Sequence, residues 1–216
     1  TPKPSSAASD VYKRQPIFPK GDYEPLLAGV FHAPQPLPYR CEYGGTTPEE
    51  GADLCVRAIE DIIKFQGPGT VAAVVAEPVR SIPYVPPPGY WQQVREACDR
   101  HGTGLIFDEI PNGLGKTGRM FACEHDDVVP DILVLGKALG GGVVPIAAVI
   151  THSSLDIMGD VAIGHYTHEK NPFSCQAALT TLEIIENEGL VENAQKVGKY
   201  ALECLQELKQ RHPIVG

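Results

Sequence analysis

Two short apolar runs constrain this fold more than any other feature, because each ends in a carboxylate and a helix-length segment separates them. Residues 70–76 read Thr-Val-Ala-Ala-Val-Val-Ala before Glu77, and residues 104–107 read Gly-Leu-Ile-Phe before Asp108. Runs this short, rich in β-branched residues, predict strands that are buried on both faces. Only one helix fits between them, so the strands should pair in parallel through a right-handed crossover.

Helix signals and further apolar runs surround these strands. Thr47-Pro48-Glu49-Glu50 supplies an N-cap, a proline at the first helical position and a reciprocal glutamate, which predict a helix from residue 48 to about 65. The buried face of this helix should contain Leu54, Ala58, Ile59, Ile62 and Ile63.

The rest of the chain continues the alternation of helix and strand. A second helix should follow the Pro-Pro-Pro-Gly at residues 86–89 and stop at Gly102. Residues 132–135 and 143–150 predict two more strands, and two helices separated by Gly189 should follow. The fold class is therefore α/β with a mostly parallel sheet and helices on both of its faces.

Composition excludes several classes of protein. The chain has 216 residues, of which 43% are apolar and 21% charged, as in a folded globular domain. Its 18 Lys and Arg residues against 27 Asp and Glu residues leave a net charge of −9, which would repel a phosphate backbone, so nucleic acid is excluded as a partner. The apolar run over residues 71–76 is too short to cross a bilayer, which takes about 20 residues.

Cysteine and histidine spacing gives no metal or disulfide signal. The six cysteines contain no Cys-x-x-Cys pair and the seven histidines no His-Glu-x-x-His. A metal site and a disulfide framework are therefore disfavoured, and a reducing cytoplasm is the expected compartment.

The two ends of the chain look incomplete. Residues 1–15 lack an apolar period and resemble a translated sequencing adapter, so we interpret them as a non-native segment. The chain stops directly after a helical pattern, where another element should follow, and we interpret it as a fragment of a longer protein.

A glycine-rich loop offers two nucleotide-binding motifs, and both are incomplete. Residues 113–118 match Gly-x-Gly-x-x-Gly after a strand, but the loop does not open a long helix as a dinucleotide-binding turn must. Gly115-Lys116-Thr117 resembles the end of a phosphate-binding loop, but Ile110 stands where that motif needs glycine. A flexible surface loop is the favoured interpretation, and a non-catalytic nucleotide-binding module remains an alternative.

Asp108, Lys137 and Thr167 are together the candidate residues of a catalytic site. Lys137 directly follows an apolar strand and is flanked by glycines that allow a close approach of a ligand, as a lysine that attacks a carbonyl requires. If that carbonyl belongs to pyridoxal 5'-phosphate (PLP), Asp108 would keep the ring nitrogen protonated, Ile110 could pack on the ring, and Thr167 could bind the phosphate. Each residue also has an ordinary role as a helix cap or a solvated side chain, and spacing alone leaves the choice open.

Several longer motifs resemble the class III PLP-dependent aminotransferases, the ornithine and ω-amino acid transaminase group. They are Ala76-Glu77-Pro78, Leu-Ile-Phe-Asp-Glu-Ile at 105–110, the glycine loop through Phe121, and Pro-Asp-Ile-Leu-Val-Leu-Gly-Lys-Ala-Leu-Gly-Gly-Gly at 130–142. The resemblance covers essentially residues 16–216. It implies PLP fold type I, with residues 16–188 in the large cofactor-binding domain and residues 189–216 as a truncated helical link toward a small C-terminal domain.

The resemblance also implies a role for each site residue. Lys137 is similar to the lysine that forms the internal aldimine, a Schiff base with PLP, and then moves the proton. Asp108 is similar to the partner of the pyridine nitrogen, and Ile110 to the residue stacked on the ring. Thr167 resembles a phosphate-binding threonine that a homodimer donates across its interface, and Glu77 resembles a carboxylate that supports the Asp108 region.

The implied activity is transfer of an amino group between an amine or amino acid and a 2-oxo acid. A PLP-dependent lyase of the same family, acting on an aminoalkyl phosphate or phosphonate, is the alternative. Two departures from the family pattern affect the site. Pro111 stands where many members have a glutamine that hydrogen-bonds to the cofactor's phenolic oxygen, and Ile82 stands where ornithine and γ-aminobutyrate enzymes carry a glutamate that acts in substrate selection. The isolated fragment is expected to be inactive because the other walls of the site lie outside it.

Overall fold

The computed structural model describes residues 27–37, 45–67, 69–80, 85–161, 166–212 and 214. The segment 1–15 and Ile82, both named in the sequence predictions, lie outside these residues. The chain divides into two compact units. The first contains Thr1–Asp108 and Asp126–Leu133, and the second contains Glu109–His125 and Val134–Gly216.

The first unit begins with helix α1, Pro48–Gln66, which confirms the first predicted helix. The Thr47 hydroxyl accepts the backbone N–H of Glu50 at 3.2 Å and so caps the helix. The Glu50 carboxylate accepts the backbone N–H of Thr46 at 2.9 Å, one residue before the N-cap, and the backbone of the N-cap Thr47 makes a smaller hydrogen-bonding contribution to the same carboxylate. Both bonds satisfy donors near the helix start that have no intrahelical partner.

Helix α2, Tyr90–His101, ends at Gly102 as predicted, and Gly102 has a φ of 63°, the left-handed conformation common after a helix. It packs against α1. The buried face of α1 is only partly as predicted. Ile59 and Ile63 are buried, but Leu54, Ala58 and Ile62 are half-buried, because α1 turns a neighbouring stripe inward. That stripe consists of Ala52, Cys55 and Val56.

Strands β1, Ala73–Ala76, and β2, Gly104–Asp108, pair in parallel, as predicted. Burial on both faces is wrong for β1, whose four residues are all half-buried. In β2, Leu105 and Phe107 are fully buried. The ring of Trp91 meets Phe107 edge-on with centroids 4.9 Å apart, an arrangement that aromatic pairs favour.

Strand β3, Ile132–Leu135, is shared by the two units. Asp131 N donates to Leu105 O at 2.8 Å, and further along Glu109 N donates to Val134 O at 2.9 Å. From the first of these bonds to the second, the residue numbers increase along both segments, as in a parallel pair. Strand β4 is Ala148–Thr151, so it begins five residues later than the predicted 143–150 and ends one residue beyond it. The late start follows because residues 141–144 turn and Pro145 has no N–H to donate. The strand order is β1-β2-β3-β4.

The second unit is mainly helical. Helix α3, Pro172–Asn187, begins at Asn171, whose side chain accepts the N–H of Phe173 at 2.9 Å. Helix α4, Leu190–Arg211, follows Gly189, which has a φ of 60°. Two helices separated by one glycine are therefore confirmed. Three short 3-10 helices, Ala122–His125, Lys137–Gly140 and Ser153–Leu155, complete the described elements.

The elements of both units together form an α/β fold, as the sequence predicts. Within the ranges given above, no helix is both long enough and apolar enough to cross a membrane.

Candidate functional site

Lys137 occupies a strained turn in the second unit. It follows β3 and Gly136 and opens the 3-10 helix Lys137–Gly140. Its φ of 42° lies in the left-handed region that non-glycine residues avoid, at a cost of roughly 1–3 kcal/mol. Residues held in this way concentrate at functional sites, so the backbone itself marks Lys137 as a candidate.

Ile110 packs against the backbone directly before Lys137. A Cβ atom added to Gly136 would lie 3.3 Å from Ile110 Cγ2 and 3.8 Å from the Cβ of Ala147. Glycine at position 136 therefore allows this close approach. The structure thus brings together two of the predicted site residues, Lys137 and Ile110.

Lys137 borders an open depression of about 630 Å³ that is formed entirely by residues of the second unit. Small-molecule sites have volumes of about 300–1,000 Å³, so the depression is large enough for a cofactor-sized ligand. Its lining residues come from the glycine loop, the turn after β3 and helix α3. They are Lys116, Lys137, Ala138, Gly141, Gly142, Thr181 and Ile185.

Helix α3 forms one wall of this depression. Gly141 has a φ of 67°, and a Cβ atom there would lie 3.3 Å from Thr181 Oγ1. The Thr181 hydroxyl donates to Ala177 O at 2.8 Å, which directs its oxygen along the helix. Lys116 and Thr181 were both missed as site residues in the sequence. In the sequence, Lys116 belongs only to an incomplete nucleotide-binding motif. Thr181 is recognisable only as part of a helical pattern.

The glycines of this loop are buried although Lys116 is exposed, so the prediction of a flexible surface loop is wrong for the glycines. Gly113, Gly115 and Gly118 are all buried. A Cβ atom at Gly118 would lie 2.9 Å from the Cβ of Gln195, and one at Gly115 would lie 3.2 Å from Val191 Cγ2. These two glycines therefore allow α4 to pack against the loop, which accounts for them without a bound nucleotide.

Asp108 and Glu77 belong to the first unit and end neighbouring strands. Ala76 pairs with Phe107 at the last position of the β1–β2 register, and Glu77 and Asp108 are the residues that follow. Asp108 is only 4% exposed, whereas Glu77 is half-buried. Two carboxylates therefore stand at the carboxyl ends of parallel strands, where α/β sheets bind their ligands.

Thr167 is exposed, in a turn of the second unit before α3. It does not belong to the lining of the Lys137 depression. The resemblance assigns its contact to the other subunit of a dimer, which a single chain does not contain.

Glu109 is a buried acid that the sequence did not single out. It is 1% exposed, and its two carboxylate oxygens accept the backbone N–H groups of Ala122 at 2.6 Å and Cys123 at 2.8 Å. Burial raises the pKa of this carboxyl, and the two backbone donors oppose that rise. In the sequence Glu109 is simply a second acid at a strand end, with no sign that it is buried.

The side chains present fit PLP. An aldehyde cofactor needs a primary amine, a carboxylate for its ring nitrogen and an apolar side chain against its ring, and Lys137, Asp108 and Ile110 are of these three types. Across the part of the chain that the structure describes, no group of three or more His, Cys, Asp or Glu residues could hold a metal ion.

Comparison with known proteins identifies one family. The family model for aminotransferase class-III matches residues 15–216. The (R)-1-hydroxy-2-aminoethylphosphonate ammonia-lyase of Vibrio splendidus (strain 12B01) is 39% identical over 204 residues. These residues are 89% of this chain and 43% of that protein, so the chain spans less than half the length of this relative.

Solved structures of transaminases share the fold. The thermostable (S)-enantioselective omega-transaminase from Thermomicrobium roseum has a TM-score of 0.80 at 33% identity, covering 87% of this chain and 43% of that one. The ornithine aminotransferase from Toxoplasma gondii has a TM-score of 0.66 at 38% identity, covering 70% and 35%. In the latter structure PLP partially occupies the active site.

Proposed function

The chain belongs to the class III aminotransferase family, and from this premise we propose that the protein containing it is a PLP-dependent aminotransferase. The family is one of enzymes, and its transaminase members imply dependence on PLP. The proposed reaction transfers an amino group between an amine or amino acid and a 2-oxo acid. The observation that carries the proposal is Lys137, which stands in a strained turn after β3 and borders a depression of about 630 Å³.

Four residues would hold the cofactor, and a fifth would support one of the four. Lys137 would attach it, Asp108 would bind its ring nitrogen, Ile110 would cover the ring, and Glu77 would support Asp108. Thr167 would bind the phosphate from the second subunit of a homodimer. When bound, PLP supplies an electron sink that stabilises negative charge on the substrate carbon.

Lys137 would act twice in this scheme. Its Nζ would hold the cofactor, and the same Nζ, once free, would take a proton from the substrate carbon. The amine must therefore be neutral when it receives the proton. The Asp108 carboxylate, which is buried, would pair with the protonated ring nitrogen, and a nearby opposite charge favours the ionised form of a carboxyl.

A lyase is the second candidate, and the 39% identity to the Vibrio splendidus ammonia-lyase favours it. An enzyme of this kind would use the same lysine to remove a proton from an aminoalkyl phosphate or phosphonate, and a leaving group would depart. The two candidates differ in co-substrate, because only the aminotransferase needs a 2-oxo acid.

The proposal extends to the organisation of the protein. Residues 16–188 would be part of the large PLP-binding domain, and residues 189–216 would lead toward a small C-terminal domain. The whole protein would act as a cytoplasmic homodimer. The isolated chain would be inactive, since the matched residues are only 43% of the ammonia-lyase and 43% of the Thermomicrobium roseum transaminase.

The test uses the full-length protein, reconstituted with PLP, and records its visible absorption before and after addition of amines. We expect a band that disappears in Lys137→Ala and persists in Lys199→Ala, where an exposed lysine of α4 is replaced. Conversion to the pyridoxamine form supports the aminotransferase. Release of ammonia or phosphate without a 2-oxo acid supports the lyase, and the absence of any lysine-dependent band would refute both.

A further inference from the structure

Glu109 anchors the loop that carries Ile110 and Lys116. Its backbone N–H donates to Val134 O on β3 at 2.9 Å, and its backbone carbonyl accepts the N–H of Gly113 at 2.9 Å. Its side chain then accepts the N–H groups of Ala122 and Cys123. Glu109 is therefore hydrogen-bonded to β3, to the start of the loop and to the segment that follows the loop.

The Glu109 carboxylate lies close beneath the start of the loop. A Cβ atom on Gly113 would lie 3.0 Å from the carbonyl oxygen of Glu109 and 3.2 Å from its Oε2. Within the loop, Lys116 Nζ donates to Pro111 O at 2.8 Å. Glycine at 113 thus permits the carboxylate to lie directly under the loop, close to backbone atoms.

The anchored loop reaches Lys137 at two points. Ile110 packs at Gly136, directly before Lys137, and Lys116 lines the same depression as Lys137. Glu109 also stands between Asp108 and Ile110 in the chain, the two residues proposed to hold the cofactor ring. A shift of the Glu109 carboxylate would move Ile110 and Lys116 together.

We infer that Glu109 is a positioning residue for the cofactor ring: its carboxylate, by holding the 122–123 backbone, sets where Ile110 and Lys116 stand relative to Lys137. This inference rests on the proposed function. A charged acceptor that receives two backbone N–H groups in a buried place is a strong, directional anchor. Burial raises the pKa of Glu109, and the hydrogen bonds from these two backbone donors and from the Cys123 side chain oppose that rise.

The test replaces Glu109 with glutamine in the full-length protein. Glutamine has the same shape but only one acceptor oxygen, so one of the two backbone N–H groups loses its partner. The matched control is Glu124→Gln, because Glu124 also accepts a backbone N–H, that of Phe121 at 2.8 Å, but is exposed. The readouts are the circular dichroism that the protein induces in the visible band of PLP, and the dissociation constant of PLP.

We expect Glu109→Gln to weaken PLP binding about tenfold and to change the sign or amplitude of the induced signal, with Glu124→Gln like wild type. A purely structural role would lower the melting temperature and leave both readouts of the folded protein unchanged, and that result would overturn the inference. If Glu109→Gln fails to fold, Gly113→Ala decides, because its methyl group presses on the same carboxylate. An unchanged induced signal in folded Gly113→Ala would also overturn the inference.

Failure of the proposed function gives a different result. If wild-type protein shows no lysine-dependent visible band, both the function and this inference fall. If the wild-type band is present and Glu109→Gln leaves it unaltered, only the role of Glu109 falls.

Discussion

Asp131 is predicted to stabilise the first unit mainly through one backbone hydrogen bond. Its Oδ2 accepts the N–H of Leu105 at 2.7 Å and a guanidinium N–H of Arg95 at 2.7 Å. Leu105 is fully buried, so Asp131→Ala leaves its N–H without this acceptor, at a cost of about 1–3 kcal/mol. The ion pair with Arg95 adds less than about 1 kcal/mol, because the Asp131 side chain is 41% exposed.

The expected total for Asp131→Ala is a loss of about 2–3 kcal/mol in the free energy of unfolding. A urea titration followed by far-ultraviolet circular dichroism should show a midpoint lower by about 1 M with an unchanged slope. Asp99→Ala is the matched control, since Asp99 also binds Arg95 at 2.7 Å but is 63% exposed. It should cost less than about 1 kcal/mol.

Equal losses from Asp131→Ala and Asp99→Ala would refute this reasoning, because the backbone N–H of Leu105 would then contribute nothing. A loss confined to the slope of the titration would refute it as well, since it would indicate a change in the unfolded state.

Three further outcomes are expected. Burial opposes ionisation of Asp131, but the hydrogen bonds from Leu105 and Arg95 lower its pKa. In urea titrations, the difference in the free energy of unfolding between wild type and Asp131→Ala should therefore be largest at neutral pH and shrink as the pH falls through that lowered pKa. Gly118→Ala should destabilise the protein by roughly 2 kcal/mol or more in a thermal melt, because its Cβ would lie 2.9 Å from a Gln195 carbon at a φ of 84°. Burial raises the pKa of the Cys98 thiol to about 11, so iodoacetamide at pH 8 should label exposed Cys175 first, as mass spectrometry can measure.

Each of these outcomes can fail in a definite way. A stability gap for Asp131→Ala that stays constant into acid would show that its charge is not what stabilises the fold. A Gly118→Ala protein that melts like wild type would show that α4 does not press on the glycine loop. Labelling of Cys98 as fast as Cys175 would show that its thiol reaches solvent in the native state.

Helix boundaries were predictable from the sequence because their signals act over one turn. Thr47 and Pro48 start α1 through local capping, and Gly102 and Gly189 end helices because left-handed backbone suits glycine. The face that α1 buries was not predictable in the same way. It depends on segments that are distant in sequence, such as α2, which packs against α1.

The sequence by itself determined the alternation of helices and strands and the residue types of the candidate site, including Lys137 after its strand and the two acids at strand ends. Only the tertiary structure decided that Gly115 and Gly118 are buried against α4, that Thr181 of α3 lines the depression at Lys137, and that Glu109 is buried beneath its loop. The reason is physical: propensity and capping act between residues a few positions apart, whereas burial and close approach depend on which distant segment packs against a residue.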